Sequence, residues 1–438
     1  MPELRFPDGF LWGAATAAHQ VEGNNVHSDW WAWENVAGSP VREPSGTACE
    51  HYTRYPGDVR LLADLGLNAY RFSVEWARIE PEPGAIEQRE LDHYRAMVEQ
   101  VREAGLTPVV TLNHFTLPAW LGRRGGWLAP GAPERFAAYC ARVVEALGDL
   151  VDWYATINEA GSVAFGGYLG ALHFPPGRHG LVAWEQANRA LVAAHVAARD
   201  AVRAADPGAR VGQTGSMLEW TADTGGDPVV VYLRRMMEDV FLQASAGDDW
   251  VGVQAYTRQE VRIPAVLAPL LRGIVGSAAL RRLVIPPAMR IATRDFGTVP
   301  PGGGRDGVRR TLMGYEFWPE SIGAALRRAA AMLPGKPLMV TEHGVATRDD
   351  TERVEYIGRG LAAVHACLTA GIPVLGYLHW SALDNFEWAL GYRPTFGLIG
   401  VDRATQQRTV RPSARYLGEI AAAGRVLVDA DGSGAPRR

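Results

Sequence analysis

Two glutamates in this chain directly follow short apolar runs. Glu159 comes two residues after the run Trp153–Ile157, and Glu342 comes immediately after the run Pro337–Thr341. A carboxylate at the end of a buried strand is poorly placed to be an ordinary surface acid, because surface acids lie on solvated segments. The two residues are 183 positions apart (342 minus 159), so only a closed tertiary structure could bring them together.

Two neighbouring carboxylates are what the cleavage of a glycosidic bond requires. In the retaining form of this reaction one carboxylate attacks the anomeric carbon and the other protonates the leaving oxygen, with the groups about 5–5.5 Å apart. The acid must keep its proton near neutral pH, which requires a poorly solvated site or a neighbouring negative charge. The attacking group must stay ionised, and Arg71 and Tyr256, each at a predicted strand, could supply a cation and a hydrogen-bond donor.

The elements that must position these residues alternate between strand and helix. Short apolar runs predict strands buried on both faces, and eight of them separated by helical stretches indicate an α/β fold, a single-domain (β/α)8 TIM barrel over residues 1–438. No G-x-G-x-x-G motif follows the first strand, which argues against a dinucleotide-binding sheet. The predicted strands are Phe10–Ala15, Ala69–Val74, Pro108–Leu112, Trp153–Ile157, Arg210–Thr214, Trp250–Gln254, Pro337–Thr341 and Val374–His379. The predicted helices include Glu90–Ala104, Pro133–Leu147, Trp184–Ala205, Trp318–Ala331 and Glu352–Ala370.

Polar and aromatic residues accumulate at the carboxyl ends of these strands, the rim where the chemistry of such barrels collects. They include Gln20, Arg71, His114, Asn158, Glu159, Tyr256, Glu342 and Trp380. Amide and carboxylate groups suit the hydroxyls at the edge of a pyranose, and an indole suits its apolar face. The competing interpretation is core packing for the tryptophans and a hydrogen-bonded loop position for His114.

Composition limits the class of protein further. The chain has 438 residues, of which 47% are hydrophobic, and a net charge of −4, so we expect a globular core and no partner that is a nucleic acid or a membrane. No apolar run approaches the roughly 20 residues of a transmembrane helix, and the N-terminus has no apolar region of a signal peptide. Three widely separated cysteines, Cys49, Cys140 and Cys367, suggest free thiols in the cytoplasm. We expect neither a metal nor a cofactor, and the oligomeric state stays open.

One segment after the sixth predicted strand has an unusual composition. The range Val261–Asp295 carries six arginines, and its only acid is the terminal Asp295. The simplest interpretation is an amphipathic excursion folded over the barrel. It could wall the aglycone side of a cleft, which we favour, or bind a sugar or a membrane surface.

Several motifs resemble glycoside hydrolase family 1, the retaining β-glucosidases and their relatives, from about Phe6 to Tyr416. The matching segments are FPDGFLWGAATAAHQVEG, YRFSVEWAR, TLNHFTLPAWL, TINEA, VTEHG and HWSALDNFEWALGY. The resemblance implies that Glu342 is the nucleophile and Glu159 the general acid/base. It further implies Arg71 as partner of the nucleophile, Asn158 at the sugar 2-hydroxyl, Trp380 as a stacking platform, and Gln20, His114, Glu387 and Trp388 as further sugar ligands.

The chain departs from the family pattern at four positions, which leaves the preferred sugar and aglycone open. These are Ala160, His343, Gln254 and Thr395, where the family commonly has Pro, Asn, Asn and Arg. We expect hydrolysis of β-D-glucosides through a covalent glycosyl-enzyme intermediate, with β-galactosides or β-fucosides tolerated. Glu387 would repel the phosphate of a 6-phosphorylated sugar, and the balance between hydrolysis and transglycosylation stays open. The alternative of a different class is a catalytically silent sugar-binding protein on the same barrel.

Overall fold

The computed structural model describes residues 3–170, 174–178, 180–222, 226–261, 265–292 and 307–427. The strands are β1 (Glu3–Arg5), β2 (Leu11–Ala15), β3 (Ala69–Ser73), β4 (Thr107–Asn113), β5 (Trp153–Asn158), β6 (Arg210–Ser216), β7 (Glu219–Ala222), β8 (Trp250–Gln254), β9 (Arg258–Val261), β10 (Leu338–Glu342), β11 (Val374–Trp380), β12 (Ile399–Val401), β13 (Arg408–Val410) and β14 (Arg425–Leu427). The helices are α1 (Ala18–Val21), α2 (Asp29–Glu34), α3 (His51–Asp64), α4 (Trp76–Ile79), α5 (Gln88–Glu103), α6 (Ala119–Arg123), α7 (Ala132–Leu147), α8 (Ala160–Ala164), α9 (Leu181–Ala205), α10 (Asp227–Arg234), α11 (Val240–Ala244), α12 (Ala268–Gly276), α13 (Ala278–Ala292), α14 (Ser321–Met332), α15 (Asp350–Thr369) and α16 (Pro412–Ala423).

Eight parallel strands close into a barrel in the order β2, β3, β4, β5, β6, β8, β10 and β11, with β11 pairing back onto β2. The predicted (β/α)8 barrel is confirmed, and each predicted strand overlaps an observed barrel strand. The predicted helices are also present, with ends displaced by a few residues, because terminal turns depend on capping contacts that periodicity does not encode. All barrel strands end at the same rim because they are parallel.

The barrel interior has an apolar layer below a polar layer. Ala69 and Arg71 are two residues apart on β3 and therefore face the same side of the sheet. Arg71 faces inward, because its guanidinium bonds to groups on other barrel strands across the interior. Ala69 accordingly belongs to the interior cluster that also contains Val109, Trp153, Ala155, Trp250, Met339 and Leu378. This cluster fills the lower barrel and leaves the carboxyl end for polar side chains.

Gly212 makes room for one of the two tryptophans of this apolar layer. A Cβ atom at position 212 would lie 2.9 Å from the indole of Trp250 and 2.4 Å from its carbonyl oxygen. Any side chain at this position would therefore displace Trp250, which is completely buried. The main hydrophobic core lies outside the barrel, between its outer face and the surrounding helices.

The excursion after the sixth barrel strand contains α12 and α13, with α12 packed on α10 and α13 packed on α9. Residues 262–264 and 293–295 of the predicted range lie outside the described residues. The strand β9, which leads into the excursion, pairs in parallel with β7, which follows β6. The helical pair therefore emerges on the same side of the barrel as the rim. Within the described ranges, no helix has the length and apolar character needed to cross a bilayer.

Candidate active site

The predicted site residues gather at the carboxyl end of the barrel. Arg71 lies in β3, Asn158 ends β5, Glu342 ends β10 and Trp380 ends β11, whereas His114 follows β4, Glu159 follows β5, Tyr256 follows β8, Gln20 lies in α1, and Glu387 and Trp388 lie after β11. Hydrogen bonds and ring contacts link seven of the ten to one another and Gln20 to Glu387, and charge interactions with Glu342 join Glu159 and Glu387 to the group. The structure thus brings together residues from seven of the eight barrel strands or the segments that follow them.

Glu342 is held between a cation and a hydroxyl. Nη1 of Arg71 donates to Oε1 of Glu342 at 2.7 Å, and the hydroxyl of Tyr256 donates to Oε2 at 2.5 Å. Burial raises the pKa of Glu342 above its ordinary value, and the guanidinium charge and the tyrosine hydrogen bond act in the opposite direction. Both carboxylate oxygens therefore have a donor that favours the ionised form.

Arg71 is itself fixed by several partners inside the barrel. Its Nη2 donates to Oδ1 of Asn158 at 2.6 Å, and its Nε donates to the hydroxyl of Thr111 at 3.0 Å. A longer bond of 3.4 Å reaches the hydroxyl of Thr214. Sequence reasoning missed both threonines. The sequence gives no signal for them, because only the strand register, which sets Thr111 opposite Ser73, shows that Thr111 points to the interior as Arg71 does.

Glu159 has a different electrostatic environment from Glu342. Its backbone is in the left-handed region with φ of 45°, and its amide donates to the carbonyl of Thr214 at 2.9 Å. The residue is partly exposed, but its carboxyl group is shielded enough for burial to raise its pKa to about 8, with the charge of Glu342 as the next cause. Hydrogen bonds with Ser162 and Ser216 and the charge of Arg71 oppose this shift. The carboxyl of Glu159 therefore holds its proton at neutral pH.

A second polar group lies between α1 and the loop after β11. Nε2 of Gln20 donates to the carbonyl of Phe386 at 2.7 Å and lies 3.5 Å from Oε2 of Glu387. The amide of Asn385 donates to the same Glu387 oxygen at 3.1 Å. Burial raises the pKa of Glu387 to about 8, and the Asn385 hydrogen bond lowers it. The buried Oε1 of Gln20 has no protein partner among the described residues, so it is available to a ligand hydroxyl.

His114 connects the polar group around Arg71 to the aromatic residues. Its Nε2 lies 3.2 Å from Nδ2 of Asn158, which donates to it when that ring nitrogen is unprotonated. Burial, with the charge of Arg71, lowers the pKa of His114 well below its ordinary value. The imidazole is therefore neutral. Its Nδ1 is buried and has no protein partner in the described part of the chain.

Aromatic rings form one wall of the site. The ring of His114 stacks on Trp380 with centroids 5.7 Å apart and an interplanar angle of 17°. Trp388 stacks on His19 at 5.6 Å and 4°, and it also contacts Phe174. Trp380 packs in a separate small cluster that includes Tyr256, which lies beside Glu342. These contacts place apolar ring surface next to the carboxylates.

His343, the residue after Glu342, points away from the site. Its Nδ1 pairs with the hydroxyl of Tyr377 at 2.9 Å, its Nε2 pairs with the carbonyl of Pro319 at 3.0 Å, and its ring stacks on Tyr356. Burial lowers the pKa of His343 to about 3, so the imidazole is neutral. This departure from the family pattern fills space behind the rim.

The other three departures differ in their distance from the chemistry. Nε2 of Gln254 donates to Oδ1 of Asn158 at 2.8 Å, so Gln254 belongs to the polar group around Arg71. Ala160 is buried in the core, and the hydroxyl of Thr395 donates to the carbonyl of Thr347 at 2.9 Å. Gln254 is therefore the departure in closest contact with the predicted sugar ligands.

The site contains carboxylate, amide and imidazole groups, but their arrangement is not that of a metal centre. In the part of the chain that the structure describes, no group of three or more His, Cys, Asp or Glu side chains could hold a metal ion. One ion-paired carboxylate beside one carboxyl group that holds its proton can instead supply a nucleophile and a proton donor.

Comparisons with known proteins agree with this arrangement. The family model described as glycosyl hydrolase family 1 matches residues 3–225 and 303–425. The chain is 34% identical to thermostable beta-glucosidase B of Thermobispora bispora over 95% of this chain and 91% of that protein. It is 33% identical to the bifunctional beta-D-glucosidase/beta-D-fucosidase of Bifidobacterium breve over 93% of this chain and 96% of that protein. The solved structure of a beta-glycosidase from Pyrococcus horikoshii superposes with a TM-score of 0.84 at 32% identity and covers 100% of this chain and 99% of that one.

Proposed function

The chain belongs to glycosyl hydrolase family 1, and from that premise we propose that it hydrolyses β-D-glucosides with retention of configuration, through a covalent glycosyl-enzyme intermediate. Its reaction class is hydrolysis of O-glycosyl bonds in β-glycosides. Nothing in the comparisons favours the catalytically silent sugar-binding protein. The observation that carries the proposal is the unequal surroundings of the two carboxyl groups, because Glu342 pairs with Arg71 and Tyr256, whereas Glu159 lies in a shielded position near the charge of Glu342.

Glu342 is the proposed nucleophile. The support is its ion pair with Arg71 and its hydrogen bond from Tyr256, because both contacts favour the carboxylate that must attack the anomeric carbon. In the intermediate one oxygen of Glu342 forms an ester with the sugar, so the carboxylate charge is lost. Arg71 then keeps Asn158 in place through the 2.6 Å bond.

Glu159 is the proposed general acid/base. A carboxyl group with a pKa of about 8 can donate its proton to the leaving oxygen at neutral pH. Formation of the ester removes the negative charge of Glu342, which is one of the causes that raise this pKa. The pKa of Glu159 therefore falls in the intermediate, and the group can accept a proton from the attacking water in the second step.

The remaining site residues are proposed ligands of the sugar. Gln20 and Glu387 face outer hydroxyls with a buried amide oxygen and a carboxyl group, and Asn158 and His114 face the hydroxyl next to the anomeric carbon. Trp380 and Trp388 offer ring surface to the apolar face of the pyranose. The proposed partner is thus a small-molecule β-glycoside and not a nucleic acid. β-Fucosides and β-galactosides are proposed secondary substrates, because relatives are described as a beta-D-glucosidase/beta-D-fucosidase and a beta-galactosidase.

The test is hydrolysis of p-nitrophenyl β-D-glucopyranoside by the wild type and by Glu342→Ala, Glu159→Ala and the control Glu134→Ala. Glu134 is an exposed glutamate in the first turn of α7 and should be dispensable. We expect activity in the wild type and the control and loss in both site variants. Azide should rescue Glu159→Ala and yield β-glucosyl azide, because a small anion can attack the intermediate without a general base.

The outcomes separate the parts of this proposal. Release of the α-azide by Glu159→Ala, or of the β-azide by Glu342→Ala, would reverse the assigned roles. Activity on another β-glycoside but not on glucoside would leave the mechanism intact and correct the sugar. If the wild type were inactive on all β-glycosides but bound glucose, the sugar-binding alternative would replace the proposal of a hydrolase.

We also propose that residues 1–438 form a single catalytic domain in the cytoplasm. The closed barrel supports a single domain, and the three free, buried cysteines suit a reducing compartment. One calorimetric unfolding transition is expected, and two separate transitions would contradict a single domain. Cell fractionation should recover the activity with cytoplasmic markers, and recovery outside the cell would contradict the location.

A further inference from the structure

The excursion after β9 carries a concentration of exposed apolar side chains. Five of them, with Val231 on the adjoining α10, form what we call the apolar patch: Val231, Val266, Leu267, Leu270, Leu280 and Leu283. Val266 is 82% exposed, Leu283 is 72% exposed and Leu270 is 60% exposed. Elsewhere in the described residues, large exposed apolar side chains are spread over the sequence, at Val26, Val36, Ile86, Val182 and Leu427. A concentration of exposed apolar residues of this kind marks an interaction surface.

Five of the six patch residues lie in a strongly basic segment of the chain. Between positions 261 and 294 the chain has six arginines and no acidic residue, although its net charge is −4. The rest of the chain therefore carries −10, which is −4 less the +6 of this segment. Arg272 and Arg282, next to the apolar side chains in α12 and α13, are exposed. The segment falls within residues 226–302, between the two stretches that match the family model.

Charge decides which partner suits this surface. A second copy of the chain, meeting the patch with its own patch, would bring like charges together, which disfavours self-association. An anionic bilayer surface offers both negative headgroups for the arginines and an acyl boundary for the leucines. Basic helices with exposed apolar side chains are typical of segments that lie in the interface of such a bilayer.

We propose that the apolar patch docks this enzyme on the surface of an anionic lipid bilayer. Arg272 and Arg282 contact the lipid headgroups, and the patch inserts its leucine and valine side chains between them. This differs from the sequence-based expectation of no membrane partner, which rested on net charge and on the lack of a spanning run. The favoured view of the segment as a wall of the cleft stays a prediction, because exposure of the patch side chains does not test it. The docked enzyme would hold its rim close to the bilayer, because β9 leads from Tyr256 into the helical pair.

The test is co-sedimentation of the full chain with vesicles of phosphatidylcholine alone and of phosphatidylcholine with phosphatidylglycerol. We expect binding to the anionic vesicles at about 0.1 M salt and release at about 1 M, where the Debye length falls from about 10 to about 3 Å. Leu270→Asp with Leu283→Asp should weaken binding by about tenfold or more, since it removes insertion and adds like charge. Arg272→Glu with Arg282→Glu is an independent variant that should weaken binding by at least about tenfold.

Val36→Asp with Ile86→Asp is the matched control, because it adds the same two negative charges at exposed apolar residues outside the patch. It should bind vesicles like the wild type. Thermal unfolding of each variant verifies folding, and vesicle binding can be measured whether or not the proposed glucosidase activity is found. Absence of binding by the wild type, or equal binding by all variants, would overturn the proposal. A dimer in size-exclusion chromatography that Leu283→Asp dissociates would also overturn it, and would make the patch a self-association surface.

Discussion

Replacing Arg71 by Gln should change the pH dependence of the reaction as well as its rate. Arg71 is completely buried, and its guanidinium lies 2.7 Å from Glu342. Two opposite charges about 4 Å apart attract by about 4 kcal/mol at an effective dielectric constant of about 20. Loss of this attraction raises the pKa of Glu342. The sign is upward, since the cation favours the carboxylate.

In the proposed mechanism the productive enzyme has Glu342 ionised and Glu159 protonated. The ascending limb of kcat/KM against pH reports the first condition, and the descending limb near pH 8 reports the second. In Arg71→Gln the ascending limb moves toward the descending limb. Activity near pH 6 should therefore fall on the order of a hundredfold, with partial recovery as the pH rises toward about 8. Any loss from misplacement of the carboxylate would be independent of pH.

The assay is kcat/KM for p-nitrophenyl β-D-glucopyranoside across the pH range, with Arg353→Gln as the control. Arg353 is also buried and paired, with Asp350, but its other hydrogen bonds go to the carbonyls of Thr347 and Thr395 and not to either site glutamate. Breaking either buried pair should lower the free energy of unfolding by about 3–5 kcal/mol. Only Arg71→Gln should displace the ascending limb. A limb at its wild-type position in Arg71→Gln would refute the inference that the guanidinium keeps Glu342 ionised.

Three further substitutions test other parts of the structure. Tyr256→Phe removes a 2.5 Å hydrogen bond to Glu342 and should lower kcat/KM by roughly ten- to a hundredfold with little change in unfolding temperature; an unchanged rate would exclude a role for the hydroxyl. His343→Asn should lower the free energy of unfolding by about 1–3 kcal/mol through two lost buried hydrogen bonds and leave kcat of the folded enzyme nearly intact; a large fall in kcat would place His343 in the chemistry. Burial raises the pKa of Asp58, but hydrogen bonds led by that from Arg408 outweigh burial and lower the pKa from 3.8 to about 2. The ionised Asp58 therefore stabilises the fold fully above pH 4, and this stabilisation is lost as the pH falls to 2. Asp58→Asn should therefore cost about 2 kcal/mol at neutral pH and nothing near pH 2, and urea unfolding at both pH values checks this.

The barrel and its two carboxylates could be predicted from local sequence. A strand buried on both faces must be short and apolar, so runs such as Pro337–Thr341 were recognisable without a structure. Parallel strands deliver their next residues to one rim, and this placed Glu159 and Glu342 together despite their separation of 183 positions. The motifs then implied which glutamate does which part of the reaction.

The partners of Arg71 inside the barrel could not be predicted from local sequence. Thr111 and Thr214 bond to Arg71 because the strand register aligns them, and register depends on the closure of the whole barrel. The direction of the His343 side chain could not be predicted from local sequence either. Its neighbours on either side alternate between the interior and the helices, and only the packed positions of Tyr377 and Tyr356 show that the imidazole points outward.

The sequence by itself determined the fold class and the residues available for chemistry, because hydrophobic periodicity and strand-end position are local properties of the chain. The tertiary structure alone decided how those residues ionise. Glu159 and Glu342 are the same amino acid after similar strands, yet the cation lies against Glu342, and the charge of Glu342 helps to raise the pKa of Glu159. The tertiary structure also decided that the apolar patch faces solvent, since exposure depends on which helices pack beneath the patch. Burial and charge proximity are sums over residues distant in sequence, and only the folded chain defines them.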